Sequence, residues 1–253
     1  MTSFLRDLFQ NYLSIHSLLF LTYAVSFTLL SSFFHYKNLQ KKFSNDLQVF
    51  IRYFMYFFLF LLLIPIVVIL LYASQPLEVL QSFGFQPGNY KLGLILSLIA
   101  IPVCAVAVYV SLKDPKLKDQ YPFAKNACRR GKTFVLYELA YLFLYYAAWE
   151  FTFRGVFLFS IIDITGEAKA GILIAILIQT TIATIYHLGH PDIEIISAFV
   201  GSIIFGIIAY VTQSFLYTLF IHALLGIAND TFFYLKYHKI KFVPEKQRSS
   251  KNW

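Results

Sequence analysis

Apolar residues in this chain gather into seven runs: Leu13 to His35, Val49 to Ala73, Leu92 to Leu112, Phe134 to Ile162, Gly171 to Tyr186, Ile195 to Thr212 and Phe215 to Leu235. Each approaches or exceeds the roughly 20 residues that carry a helix across a hydrocarbon layer. Lipid offers the backbone no hydrogen bonds, so a run of this kind crosses as a helix that satisfies its own N–H and C=O groups. The expected fold is therefore all-α, a polytopic integral membrane bundle of about seven transmembrane helices. Composition agrees, because 58% hydrophobic and 13% charged residues in a chain of 253 leave too little polar surface to coat a soluble globule. No charged segment with a short apolar stretch and a small-residue cleavage site opens the sequence, so the first run is expected to be retained. Cys104, inside a run, and Cys128, in a basic stretch, make neither a disulfide framework nor a thiolate metal site.

Charge orients the bundle. Lys37, Lys41, Lys42 and Arg52 follow the first run, seven Lys or Arg residues from Lys113 to Lys132 follow the third, and six more lie between Lys236 and Lys251. The alternate loops carry little positive charge, which puts the N-terminus outside and the C-terminus in the cytoplasm, in the cytoplasmic (plasma) membrane. The net charge of +8 then reads as orientation and attraction to anionic lipid, not as nucleic-acid binding. No linker, repeat or low-complexity tract divides the chain. The expected organisation is one membrane domain, 1–253, with a motif-bearing region at 133–235 and a basic cytoplasmic tail at 236–253. The stretch from Asp114 to Lys132 is long enough for an interfacial helix, and Pro65 and Pro102 should kink the spans that contain them.

Ionisable residues within the apolar runs are the feature most informative about function. The first three runs hold essentially none away from their ends, whereas the last four hold or adjoin Glu138, Glu150, Arg154, His187, Glu194 and His222. Such a group at membrane depth costs several kcal/mol unless paired or hydrated, and marks a site or pathway. Glu150 and Arg154 lie four residues apart on one helix face and are expected to pair; the carboxylate so oriented can act on a water or a scissile carbonyl. His187 and His222 sit on different helices. Two imidazoles converging on a carboxylate form the donor set of a catalytic zinc, which would lower the pKa of a bound water and polarise a peptide carbonyl.

The string Trp149-Glu150-Phe151-Thr152-Phe153-Arg154-Gly155, the segment His187-Leu188-Gly189-His190-Pro191 with Glu194 after it, and His222 in the last run resemble the CPBP (Abi) family of intramembrane metalloproteases, which includes the type II CAAX prenyl endopeptidases. The resemblance covers roughly Pro76 to Tyr234. It implies a metal-dependent endopeptidase, with Glu150 and Arg154 catalytic, His187, His222 and Glu194 around zinc or another divalent metal, and a peptide or membrane-protein substrate reached from the lipid bilayer. The family pattern is Glu-Glu-x-x-x-Arg, Phe-x-x-x-His and His-x-x-x-Asn or Asp. Here Trp149 stands for the first Glu, Ala183 for the Phe and Gly226 for the Asn or Asp, and His190 is an alternative to His187. Those departures bear on hydrolysis more than on fold. A non-catalytic relative that binds or scaffolds a membrane protein is the second reading, and a proton-coupled transporter the third. Depth also matters: at ~1.5 Å per residue, Glu150 lies ~15 Å, His222 ~10 Å and His187 ~24 Å from the outer ends of their spans. Tilt of the long fourth run would bring them closer, at a site opening to the cytoplasm.

Overall fold

The computed structural model describes residues 14–241, with the side chains of 118, 119, 128, 129 and 236–241 outside that description. The extreme N-terminus and most of the expected basic tail therefore lie outside the described residues. Every regular element among the described residues is helical. In chain order these are α1 (Ile15–Ser32), α2 (Tyr36–Gln40), α3 (Asp46–Tyr72), α4 (Pro76–Ser82), α5 (Tyr90–Ser111), α6 (Pro115–Gln120), α7 (131–165), α8 (Lys169–Ile185), α9 (Asp192–Thr212) and α10 (Leu216–Lys241). Five helical stretches are long and apolar enough to span a membrane, beginning at Ile15, Asp46, Tyr90, Asp192 and Leu216. α8, at 17 residues, is shorter, and the fourth apolar run lies in α7, which is helical of mixed type. The protein is a multi-pass integral membrane bundle, and its outer faces are correspondingly apolar: Leu94, Leu98, Val103 and Val106 of α5 are all exposed.

α7 is the central element. Residues 148–162 are buried without interruption, and α1, α3, α8, α9 and α10 pack around it. Two stretches of α7, Tyr141–Tyr146 and Phe151–Phe157, are π-helical and flank the α-helical turn Ala147–Glu150. A π turn adds a residue to the repeat and re-aims the side chains beyond it, and such turns concentrate at functional sites.

α3 also contains a π stretch, Phe58–Leu63, just before Pro65. Proline has no N–H to give the carbonyl four residues back. That carbonyl belongs to Leu61, and two hydroxyls from other helices donate to it, Tyr23 and Thr152, each at 3.1 Å. The irregularity expected at Pro65 is thus satisfied by neighbouring helices and ties α1, α3 and α7 together.

The stretch 114–132, long enough for a short interfacial helix, forms one of six residues, α6. Asp114 caps α6 by accepting from Lys116 N and Leu117 N, but Tyr121 is already extended ahead of Pro122, as the residue before a proline is biased to be. A short 3-10 turn, Lys125–Arg129, follows before α7 begins.

Candidate active site

Glu150 lies in the α-helical turn between the two π stretches of α7 and is 0% exposed. Its Oε1 accepts from two sides. Arg154, one turn along the same helix, donates from Nη1 at 3.3 Å, and His222 of α10 approaches through Nδ1 at 2.6 Å. Arg154, 2% exposed, also donates from Nη2 to Ser202 Oγ of α9 at 2.9 Å. Ser202 is held in turn, since Gln179 of α8 donates to its backbone carbonyl at 2.9 Å. Four helices therefore fix one buried carboxylate, and each charge has a partner of opposite sign or a hydrogen bond, as burial demands. Glu150 Oε2 is buried without a hydrogen-bond partner among the described residues.

The contact with Glu150 determines how His222 presents itself. An ionised carboxylate only accepts, so Nδ1 carries the proton and Nε2 keeps its lone pair. The His222 side chain is 22% exposed where Glu150 is fully enclosed. Tyr146 and Phe205 flank the imidazole, with ring centroids 4.6 and 5.6 Å away. Of the two residues, the histidine is the one a reacting atom can reach.

His187 lies in the turn after α8, outside the spanning helices. Its Nδ1 bonds the Ala183 carbonyl at 2.9 Å, which likewise leaves Nε2 as the lone-pair nitrogen. Burial pushes its pKa down to about 4, and His222, His190 and Glu194 act on it electrostatically. His187 is thus neutral at pH 7 and within electrostatic reach of His222. The Trp149 indole stands edge-on to it at 5.5 Å and stacks against Tyr145 at 5.8 Å. An aromatic wall therefore occupies the position where the family pattern carries its first glutamate.

Glu194 belongs to a second cluster. Its Oε1 takes His190 Nδ1 and the Tyr121 hydroxyl, both at 2.6 Å, and its Oε2 takes Gln120 Nε2 at 2.9 Å. These contacts join the α8–α9 turn to the segment after α6, and Glu194 is not in the Glu150–His222 contact. Glu138 is buried in the first turns of α7, facing Asp230 of α10 electrostatically, and both carboxyls lack hydrogen-bond partners among the described residues.

The zinc expectation can be tested against this arrangement. Among the described residues, no three His, Cys, Asp or Glu side chains are grouped to hold one ion. His222 and His187 each have the second nitrogen held and Nε2 free, the way metal-bound imidazoles are commonly oriented. The oxygen ligand that would complete the set, Glu194, is engaged by three other groups. As placed, these residues do not fit a three-ligand metal centre.

Sequence reasoning misses Ser202, Gln179 and Tyr146, whereas the Gln120-Tyr121-Pro122-Phe123 segment belongs to the family resemblance. A Ser and a Gln inside apolar runs are the signal that points to Ser202 and Gln179, because polar residues in spans bond across helices. Tyr146 carries no comparable signal.

Fold and site together define a polytopic membrane protein with a buried carboxylate–imidazole pair at the centre of its helical bundle. Residues 132–228, which carry Trp149 through Arg154, the His187 turn and His222, match the family model for type II CAAX prenyl endopeptidase, Rce1-like. Over that segment the chain is similar to Rce1-like domains, in line with the resemblance carried by its motifs. No curated protein and no solved structure matches the chain.

Proposed function

We propose that this protein is an intramembrane endopeptidase of the CAAX-protease type, in which His222 is the general base and Glu150 the carboxylate that orients it. The observation that carries this reading is the 2.6 Å contact between His222 Nδ1 and Glu150 Oε1, with the carboxylate enclosed and the imidazole partly open. A water on His222 Nε2 gives its proton to that nitrogen as its oxygen attacks the scissile carbonyl carbon. Glu150 stabilises the imidazolium so formed. The proton then passes to the leaving nitrogen as the C–N bond breaks, giving a carboxylic acid and an amine. Arg154 and Ser202 hold the carboxylate and do not touch substrate. The role read for Glu150 from sequence, direct action on water, shifts to His222 because Glu150 is fully buried and already engaged.

The substrate is a peptide or membrane-protein segment, and no step in this scheme passes through a metal. The distribution of Lys and Arg supports a cytoplasmic-side opening in the cytoplasmic membrane, with the N-terminus outside. A second reading, a non-catalytic relative that binds a membrane protein, is favoured by the stacked Trp149.

The test is cleavage by the full chain, purified in detergent and returned to lipid, of a fluorogenic peptide with a prenylated CAAX terminus and of the same peptide without the prenyl group. Mass spectrometry should find products whose masses sum to peptide plus one water. Intact peptide in both cases would overturn the endopeptidase reading and leave the binding one.

A further inference from the structure

α7 and α10 run antiparallel in a fixed register. Phe134 stacks on Tyr234 at 4.6 Å, and Tyr146, twelve residues on, packs against His222, twelve residues back, also at 4.6 Å. Gly226, one turn past His222, therefore stands opposite the turn of α7 that precedes Tyr146. Helical side chains lean toward the N-terminus and cover that preceding turn. The Tyr146 ring does so: a Cβ built on Gly226 would collide with the Tyr146 hydroxyl. The hydroxyl thus occupies the space that a side chain at 226 would fill, and only glycine there admits it.

Tyr146 is 4% exposed and stacks on Tyr141 at 4.3 Å. Packing alone would be served by phenylalanine; the Tyr141 hydroxyl is within side-chain hydrogen-bonding reach of the Tyr146 oxygen, and as donor to that oxygen it leaves the Tyr146 O–H to donate elsewhere. Four helical residues rise about 6 Å, so the hydroxyl lies roughly one turn along α10 from the imidazole that the proposed hydrolysis uses.

We propose that Tyr146 is a catalytic residue, its O–H donating to the substrate carbonyl oxygen as that oxygen gains negative charge at His222. The polar group that the family pattern carries on residue 226 of the histidine's own helix is supplied here from the facing helix, and Tyr146 and Gly226 form one unit. This inference rests on the endopeptidase reading.

The experiment uses the full chain in lipid with the prenylated CAAX-type peptide as probe. Removing one donor to a developing oxyanion costs on the order of 10²-fold in rate, so Tyr146→Phe should lose about that much in kcat, with KM and thermal midpoint near wild type. Gly226→Asn should lower the midpoint in the wild-type background. Tyr146→Leu combined with Gly226→Asn should recover part of the rate lost in Tyr146→Leu alone, because the amide then occupies the vacated space. Wild-type kcat in Tyr146→Phe, or an undiminished midpoint in Gly226→Asn, overturns the inference while leaving the endopeptidase reading intact. A wild-type protein that cleaves neither peptide overturns both.

Discussion

Arg154 Nη1 and Glu150 Oε1 meet at 3.3 Å with side chains 2% and 0% exposed, so this ion pair sits wholly out of water. Removing one member of such a pair leaves the other charge buried and alone, which costs about 3–5 kcal/mol. Glu150→Gln and Arg154→Met should each destabilise the protein by an amount of that order. The double variant should lose less than the sum of the two, because no stranded charge remains. Unfolding in mixed micelles measures all three, and simple additivity would contradict the pairing.

Glu194 is expected to act as a fastener between the α8–α9 turn and the segment after α6. It accepts from Gln120, Tyr121 and His190, and hydrogen bonds to a charged group contribute about 1.5–3 kcal/mol each. Glu194→Ala should therefore raise amide exchange in residues 117–124 by at least about tenfold, the equivalent of one such bond. Unchanged exchange would mean that the contacts do not hold the segment. The variant should leave the Glu150–His222 contact in place, since Glu194 takes no part in it.

The dispersal of acids and imidazoles gives an expectation for metal removal. With Glu194 engaged elsewhere and no three candidate ligands grouped among the described residues, purified protein should carry zinc well below one equivalent, and peptide cleavage should survive a chelator. Stoichiometric zinc that disappears in both His187→Ala and His222→Ala would contradict this and restore the metal-centred scheme.

Much of this architecture was legible because membrane burial writes itself into local sequence. Apolar runs of span length fix an all-α bundle, and the four-residue spacing of Glu150 and Arg154 predicts the pair that forms. The convergence of Glu150 with His222, from helices far apart in the chain, follows from the cost of isolated charge in lipid. Other features depend on geometry that no local pattern encodes. The π stretches that flank Glu150 alter which side chains share a face of α7. Glu194 was expected beside the histidines of the site, yet Tyr121 and Gln120, more than 70 residues away, pair with it instead. The short interfacial helix within 114–132 ends at Gln120, since Tyr121 is extended ahead of Pro122. Gly226, which departs from the family motif, becomes intelligible only through the ring of Tyr146 on another helix.

The proposed hydrolysis depends on His222 as the base that Glu150 orients. Its most direct measurement is the turnover of the prenylated CAAX-type peptide by wild type, His222→Gln and Glu150→Gln in lipid, each with its thermal midpoint recorded. Loss of a general base costs ~10²–10⁴-fold, so His222→Gln should fall by that range in kcat while remaining folded, with Glu150→Gln also reduced. Turnover at the wild-type rate by folded His222→Gln would contradict that role for His222.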